Sequence, residues 1–140
     1  MSKSRLNNEN IARLKKSLLY DFSNRPDLLI RALTHRSYSS DNYERLEFLG
    51  DSVLGFIIAD ALYARFPDAD EGQLTRMRAS LVRQETLAEL GRKIELGAYL
   101  ILGQGALKSG EHARDSFLSD VIEAMIGASD LDGGIKPSRK

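Results

Sequence analysis

Residues 43–65, YERLEFLGDSVLGFIIADALYAR, constrain the fold more than any other stretch of this chain. At about 100° per residue, a helix with Glu44 at zero brings Glu47 and Asp51 into an arc of about 60° with it. Leu46, Leu49, Val53 and Ile57 fall on the opposite side, between about 140° and 220°. One long helix therefore buries one face and carries a row of acids on the other. Asp41 or Asn42 is placed to cap its start, and Phe66-Pro67 stops it. Helical periodicity dominates and no segment sustains apolar alternation, so the expectation is an all-α domain with this helix at its centre.

The remaining elements follow from the same rules. Ile11, Leu14 and Leu18 predict an amphipathic helix over 8–20. Pro26-Asp27 opens a short second helix, with proline at its first turn and an acid near its positive end. THRSYSSDN (34–42) reads as a polar loop. Asp70 caps a helix over 71–82, and another runs over 84–96 with Gly97 as its stop. LGQGALKSGEHAR (102–114), rich in glycine and cations, reads as a loop. Residues 116–129 form the last helix. Ser129 and Asp130 stand where its apolar stripe of Ile122, Met125 and Ile126 would continue, which weakens packing there. The expected domain covers 1–132, with a disordered tail over 133–140.

The length of 140 residues suits one domain with a real core. There is no cysteine, which excludes thiol nucleophiles, zinc thiolates, iron–sulfur clusters and disulfides. The charge-free run Ser52–Ala59 is far short of the roughly twenty residues a membrane span needs. Met1–Asn10 carries no apolar stretch, so a cytoplasmic protein without membrane attachment is expected. Twenty cations balance twenty anions, which argues against gripping nucleic acid by bulk charge alone.

The acids then carry the argument. Asp120 and Glu123, three apart, share a face of the last helix, as Glu47 and Asp51 do on the long one. Asp70-Glu71 opens a third helix. Acids on a helix face are commonly just solvated. Here no Lys or Arg lies at i+4 from Glu44, Glu47 or Asp51 to pair with them. They also flank an apolar helix that its neighbours should nearly enclose. If the two acidic faces meet, each ionised pair at about 4 Å repels by roughly 4 kcal/mol at an effective dielectric near 20, and the cluster needs a cation. Oxygen ligands without Cys or His select a hard ion, Mg²⁺ or Mn²⁺. From the residues alone the reading stops at a Mg²⁺-dependent phosphodiester or phosphate hydrolase.

ERLEFLGDS (44–52) resembles the signature of the ribonuclease III family. LTHRSYSS (33–40), FPDADEGQLTRMRASLV (66–82), LGQGALKSG (102–110) and RDSFLSDVIEAMIGA (114–128) resemble its companion blocks, in the expected order. The similarity covers about residues 10–128 and best fits the bacterial endonuclease domain; the resemblance implies a domain incomplete at its C-terminal end, without the double-stranded-RNA-binding domain that normally follows. The resemblance implies the all-α endonuclease-domain fold of that family, built around a long central signature helix. It implies a homodimer that cuts double-stranded RNA with Mg²⁺, Mn²⁺ substituting, leaving 5′-phosphate and 3′-hydroxyl ends, as in the processing of ribosomal and other RNA precursors. Carried over by position, Glu47, Asp51, Asp120 and Glu123 would be metal ligands, with Asp51 and Glu123 catalytic. Glu44 and Glu71 match two further acids of the active centre. The implied hydrolysis forms no covalent enzyme intermediate and needs neither His35, read as a loop-anchoring hydrogen bonder, nor His112, read as a surface residue.

On the wheel, Phe48 lies beside the acids with Ser52, Gly55 and Ala59 nearby, within about 80° of Glu44. A large apolar side chain next to small residues suits close packing, either under other helices of the same chain or against a second subunit. The resemblance places the Phe48 position in the dimer interface, with Ser52 and Gly55 beside it. Arg76, Arg78, Lys108, Ser109 and Arg114 are the candidate RNA contacts, with 102–114 the candidate minor-groove loop. Two competing expectations stand beside the nuclease: a non-catalytic or truncation-disabled RNA-binding or assembly module of the same fold, and an unrelated carboxylate-metal hydrolase of small phosphates.

Overall fold

The computed structural model describes residues 9, 11–14, 22 and 24–133. Residue 9 and residues 11–14 are helical, and the rest of the helix expected over 8–20 lies outside the described residues, as does the tail over 134–140. Six α-helices follow: α1 (Pro26–Ala32), α2 (Glu44–Arg65), α3 (Glu71–Leu81), α4 (Gln84–Lys93), α5 (Gln104–Lys108) and α6 (Asp115–Gly133). Single 3₁₀ turns lie at Leu96–Tyr99 and Glu111–Ala113. The fold is all-α, as expected.

The expected boundaries hold where side-chain chemistry sets them. Proline opens α1, and Asp70 and Gln73 form a reciprocal capping box at α3. Asn42 Oδ1 accepts the Glu44 N–H at 3.0 Å, just before the first turn of α2. The long helix ends at Arg65, before Phe66-Pro67.

Three expectations are corrected. The helix expected over 84–96 stops at Lys93, because Glu95 turns left-handed (φ 56°) and redirects the chain so that Leu96, Tyr99 and Leu100 enter the core. The 102–114 loop contains α5 and a 3₁₀ turn, because Gln104, Ala106, Leu107 and Lys108 are good helix formers whose Ala106 and Leu107 side chains pack on the core. The last helix continues to Gly133 rather than 129. Its polar residues there are satisfied: the buried Ser129 hydroxyl donates to the Ile126 carbonyl at 2.9 Å. The buried Asp132 carboxylate accepts the Arg25 backbone N–H at the positive end of α1. Packing is therefore not weakened at 129 in the way the apolar stripe implied.

The central pair is α2 and α6. Helix α6 is nearly encircled, by α2, α4 and α1, and buries Phe117, Leu118, Val121, Ile122, Ala124, Met125 and Ala128. At the crossing of α2 and α6 the backbones meet. A Cβ on Gly50 would overlap the Glu123 carbonyl oxygen, and one on Gly127 would overlap the Leu46 carbonyl oxygen. The helix starts are fixed as well. His35, Tyr43 and Phe117 form an aromatic trio, with His35 edge-on to Phe117 at 4.7 Å and Tyr43 to Phe117 at 5.1 Å. The expectation that α2 is nearly enclosed fails on its other side. Phe48, Phe56 and Tyr63 stay exposed, and α3, which packs mainly on α2, buries no residue.

Candidate metal centre

Contact between glycines sets the geometry of the acids. Glu47 precedes Gly50 by three residues on α2, and Asp120 and Glu123 precede Gly127 by seven and four on α6. Close approach of the two backbones brings one carboxylate oxygen from each of Glu47, Asp120 and Glu123 within 4.8 Å of the others. All three side chains are half-buried. The fourth expected ligand, Asp51, lies outside this trio, on an exposed position, with its carboxylate hydrogen-bonded to Glu123.

The electrostatics follow from crowding. Burial, then the Asp120 charge and a hydrogen bond to it, push Glu47 up to about 7. Burial and the Asp51 carboxylate push Glu123 up to about 8. Asp120 is also raised by burial, against the bond from Glu47 that lowers it. Among the described residues no lysine or arginine forms an ion pair with Glu47, Asp51, Asp120 or Glu123. Three oxygens close enough to share one ion, no ion-paired lysine or arginine among the described residues, and carboxyls pushed up to about 7 and about 8 together fit a hard divalent cation.

The other expected site residues are dispersed around this trio. Glu44 sits at the start of α2 and pairs with Arg36 at 3.7 Å. Glu71 opens α3 and lines a small cleft with Leu62, Tyr63 and Arg78, apart from the three acids that could share an ion. Arg76 and Arg78 lie on α3, and Arg78 also lines an open cleft of about 520 Å³ with Asp51, Ser52, Gly55 and Phe56. Lys108 ends α5, the Ser109 hydroxyl donates to the Ala106 carbonyl at 3.0 Å, and Arg114 pairs with Glu111 at 3.6 Å. Phe48 is 80% exposed, the most open large apolar side chain among the described residues. His35 anchors its loop: its Nδ1 accepts from the Ser37 N–H at 3.0 Å. His112, expected at the surface, is half-buried with its Nδ1 shielded from solvent. No helix among the described residues is long and apolar enough to cross a membrane.

Sequence reasoning did not single out Gly50 and Gly127, which allow the acidic faces to meet. The available signal was a glycine in the middle of each long apolar helix, where it costs helix stability and needs a packing reason.

Comparison with known proteins identifies the family and the fold. A family model described as Ribonuclease-III-like matches residues 25–140. The chain is 60% identical over 132 residues to Ribonuclease 3 of Colwellia psychrerythraea, covering 94% of this chain and 49% of that protein. It is 56% identical over 132 residues to Ribonuclease 3 of Nitrosococcus oceani, covering 94% of this chain and 56% of that protein. The chain thus spans about half the length of the curated relatives it matches. The fold superimposes on the nuclease domain of the Campylobacter jejuni ribonuclease III with a TM-score of 0.90 at 39% identity, covering 93% of this chain and 91% of that one. That structure is described as flexible in a region involved in dimer formation. A Dicer from Pichia stipitis matches with a TM-score of 0.60 at 33% identity, over 79% of this chain and 46% of that one.

Proposed function

Because the chain belongs to the ribonuclease-III-like family, we propose that it hydrolyses double-stranded RNA endonucleolytically with Mg²⁺, leaving 5′-phosphate and 3′-hydroxyl ends. Its place is the cytoplasm, in the processing of ribosomal and other RNA precursors. The observation that carries this reading is the meeting of Glu47, Asp120 and Glu123 within 4.8 Å, with no lysine or arginine among the described residues ion-paired to any of them. These three, with Asp51 next to Glu123, are the residues that would hold Mg²⁺, or Mn²⁺ in its place, and Asp51 and Glu123 are the catalytic pair. When bound, the ion supplies neutralisation of the phosphate's charge and acidifies water.

The chain's own groups do the rest. The α2–α6 crossing holds the carboxylates in place, so little reorganisation is needed when charge develops at phosphorus. Glu47 and Glu123 give up protons as the ion enters, so affinity for it rises with pH. A water oxygen bonds to phosphorus, the bond from phosphorus to the 3′ oxygen breaks, and the 3′ oxygen takes up a proton. Glu44 and Glu71 flank the centre as acids that meet substrate, and Arg76, Arg78, Lys108, Ser109 and Arg114 are the surrounding RNA contacts. The face of α2 with exposed Phe48 and Ser52 and half-buried Gly55 is where a second copy docks, giving one site for each strand of the duplex.

The test is labelled duplex RNA incubated with the chain in Mg²⁺, in chelator, and with Glu123→Ala. Metal-dependent cutting that the substitution lowers by at least about a hundredfold supports the reading. Tight duplex binding without cutting at any metal concentration identifies a non-catalytic module instead.

A further inference from the structure

The turn that precedes α2 is held more rigidly than its polar sequence requires. His35 N–H donates to the Ile101 carbonyl at 2.8 Å, and Tyr38 N–H to the His35 carbonyl at 3.0 Å. Gly103 N–H donates to Ser37 Oγ at 2.8 Å. Ser37 Oγ lies 2.7 Å from His35 Nδ1, which leaves its hydroxyl proton to the imidazole. Arg36 stands between these two pinned residues. Its guanidinium reaches Tyr43 Oη at 3.5 Å and the Glu44 carboxylate at 3.7 Å, and the side chain is 62% exposed.

A guanidinium carries five donors in a planar fork suited to a phosphate, and both contacts here are long. Most of that capacity is therefore unspent. The Arg36 charge also acts on Asp120, and its ion pair with Glu44 at the start of α2 sets it at the edge of the acid trio. Acids that hold a divalent ion still repel the polyanionic strand around the reacting phosphate. A cation on a fixed turn at their rim offsets that repulsion at the ordering cost of its side chain alone, because its backbone is already in place.

We propose that Arg36 is a phosphate-binding residue of this site, seating the backbone of the strand to be cut beside the carboxylate trio. The assignment rests on the nuclease reading above, and it adds a residue from the opening turn to the contacts on α3 and in the 102–114 segment.

The experiment measures binding of a fluorescent duplex RNA in Ca²⁺ over a salt series, and steady-state cleavage in Mg²⁺, for the intact chain, Arg36→Gln and Arg36→Lys. Loss of one phosphate contact makes the slope of log K against log salt shallower by about one. Arg36→Gln is expected to show that change, with KM raised roughly tenfold and kcat held within about twofold. Arg36→Lys is expected to restore the slope but only part of the affinity, since it keeps the charge and loses the fork. An unchanged slope and KM in Arg36→Gln overturns the assignment. So does a fall in kcat with KM unchanged, which would mean that Arg36 only arranges the acids. If the intact chain binds duplex but never cuts it, the nuclease reading fails, and the salt slopes still judge Arg36.

Discussion

The two sides of α2 are built on opposite principles. Its α6 side is closed by this chain alone, with Leu46, Gly50 and Val53 buried and the backbones touching at Gly50 and Gly127. Its α3 side is left open, with Phe48, Phe56 and Tyr63 exposed and no residue of α3 buried. The closed side supplies rigid placement, which carboxylates sharing an ion require. The open side supplies apolar area that a single copy does not use. One helix thus holds its acids against α6 on one face and leaves large apolar side chains exposed on the other.

The same truncation on each side exposes the contrast most sharply. Phe117→Ala removes a 3%-exposed ring from the aromatic trio and should cost about 3–5 kcal/mol of unfolding free energy by urea denaturation. Phe48→Ala should leave the stability of the single chain within about 0.5 kcal/mol and weaken self-association in sedimentation. Similar losses of stability from both, at a concentration where the chain is monomeric, would erase the distinction. Gly127→Ala should cost about 1–3 kcal/mol and weaken divalent-ion binding with it, since the new methyl pushes α6 off the Leu46 carbonyl. Stability lost with ion binding intact would show that the crossing does not set the acids.

A smaller effect comes from pH. Glu47 and Glu123 bind their protons more tightly folded than their ordinary value of 4.5, at about 7 and about 8. Their contribution to stability is therefore full below that ordinary value and is lost as pH rises through about 7 and then about 8. Without metal, the melting temperature should fall by roughly 3–6 °C between about pH 5 and pH 8.5. Glu123→Gln should flatten the upper part of that fall, and Mg²⁺ should reverse it in the unsubstituted chain. A melting temperature that rises over this interval would contradict the crowding of the acids.

Much of this was legible in the sequence, and the reasons differ by feature. The start and stop of α2 and α3 were readable because they depend on local chemistry: Asn42, Asp70, Gln73 and Phe66-Pro67 act within a few residues. The trio was readable in part, because spacing puts Asp120 and Glu123 on one helix face but does not say which acids of α2 they meet. Asp51 was expected among the ligands, and the structure sets it one step out, against Glu123. Where long-range contacts decide, local patterns failed. Ser129 looks like the end of a helix, yet it bonds the Ile126 carbonyl, and Asp132 beyond it accepts the N–H of Arg25, just before α1 and over a hundred residues away. Glu95 gives no sign that it adopts a left-handed backbone, which the burial of Leu96, Tyr99 and Leu100 compels. Gly50 and Gly127 carry meaning only once the helices cross.

Calorimetric titration of Mg²⁺ into the intact chain and into Glu123→Gln, at about pH 6 and about pH 8, tests the central claim most directly. The account predicts binding at the higher pH with release of protons, affinity reduced several-fold or more at the lower pH, and binding abolished by the substitution. Equal binding by both chains, independent of pH, would mean that Glu47, Asp120 and Glu123 do not hold the ion.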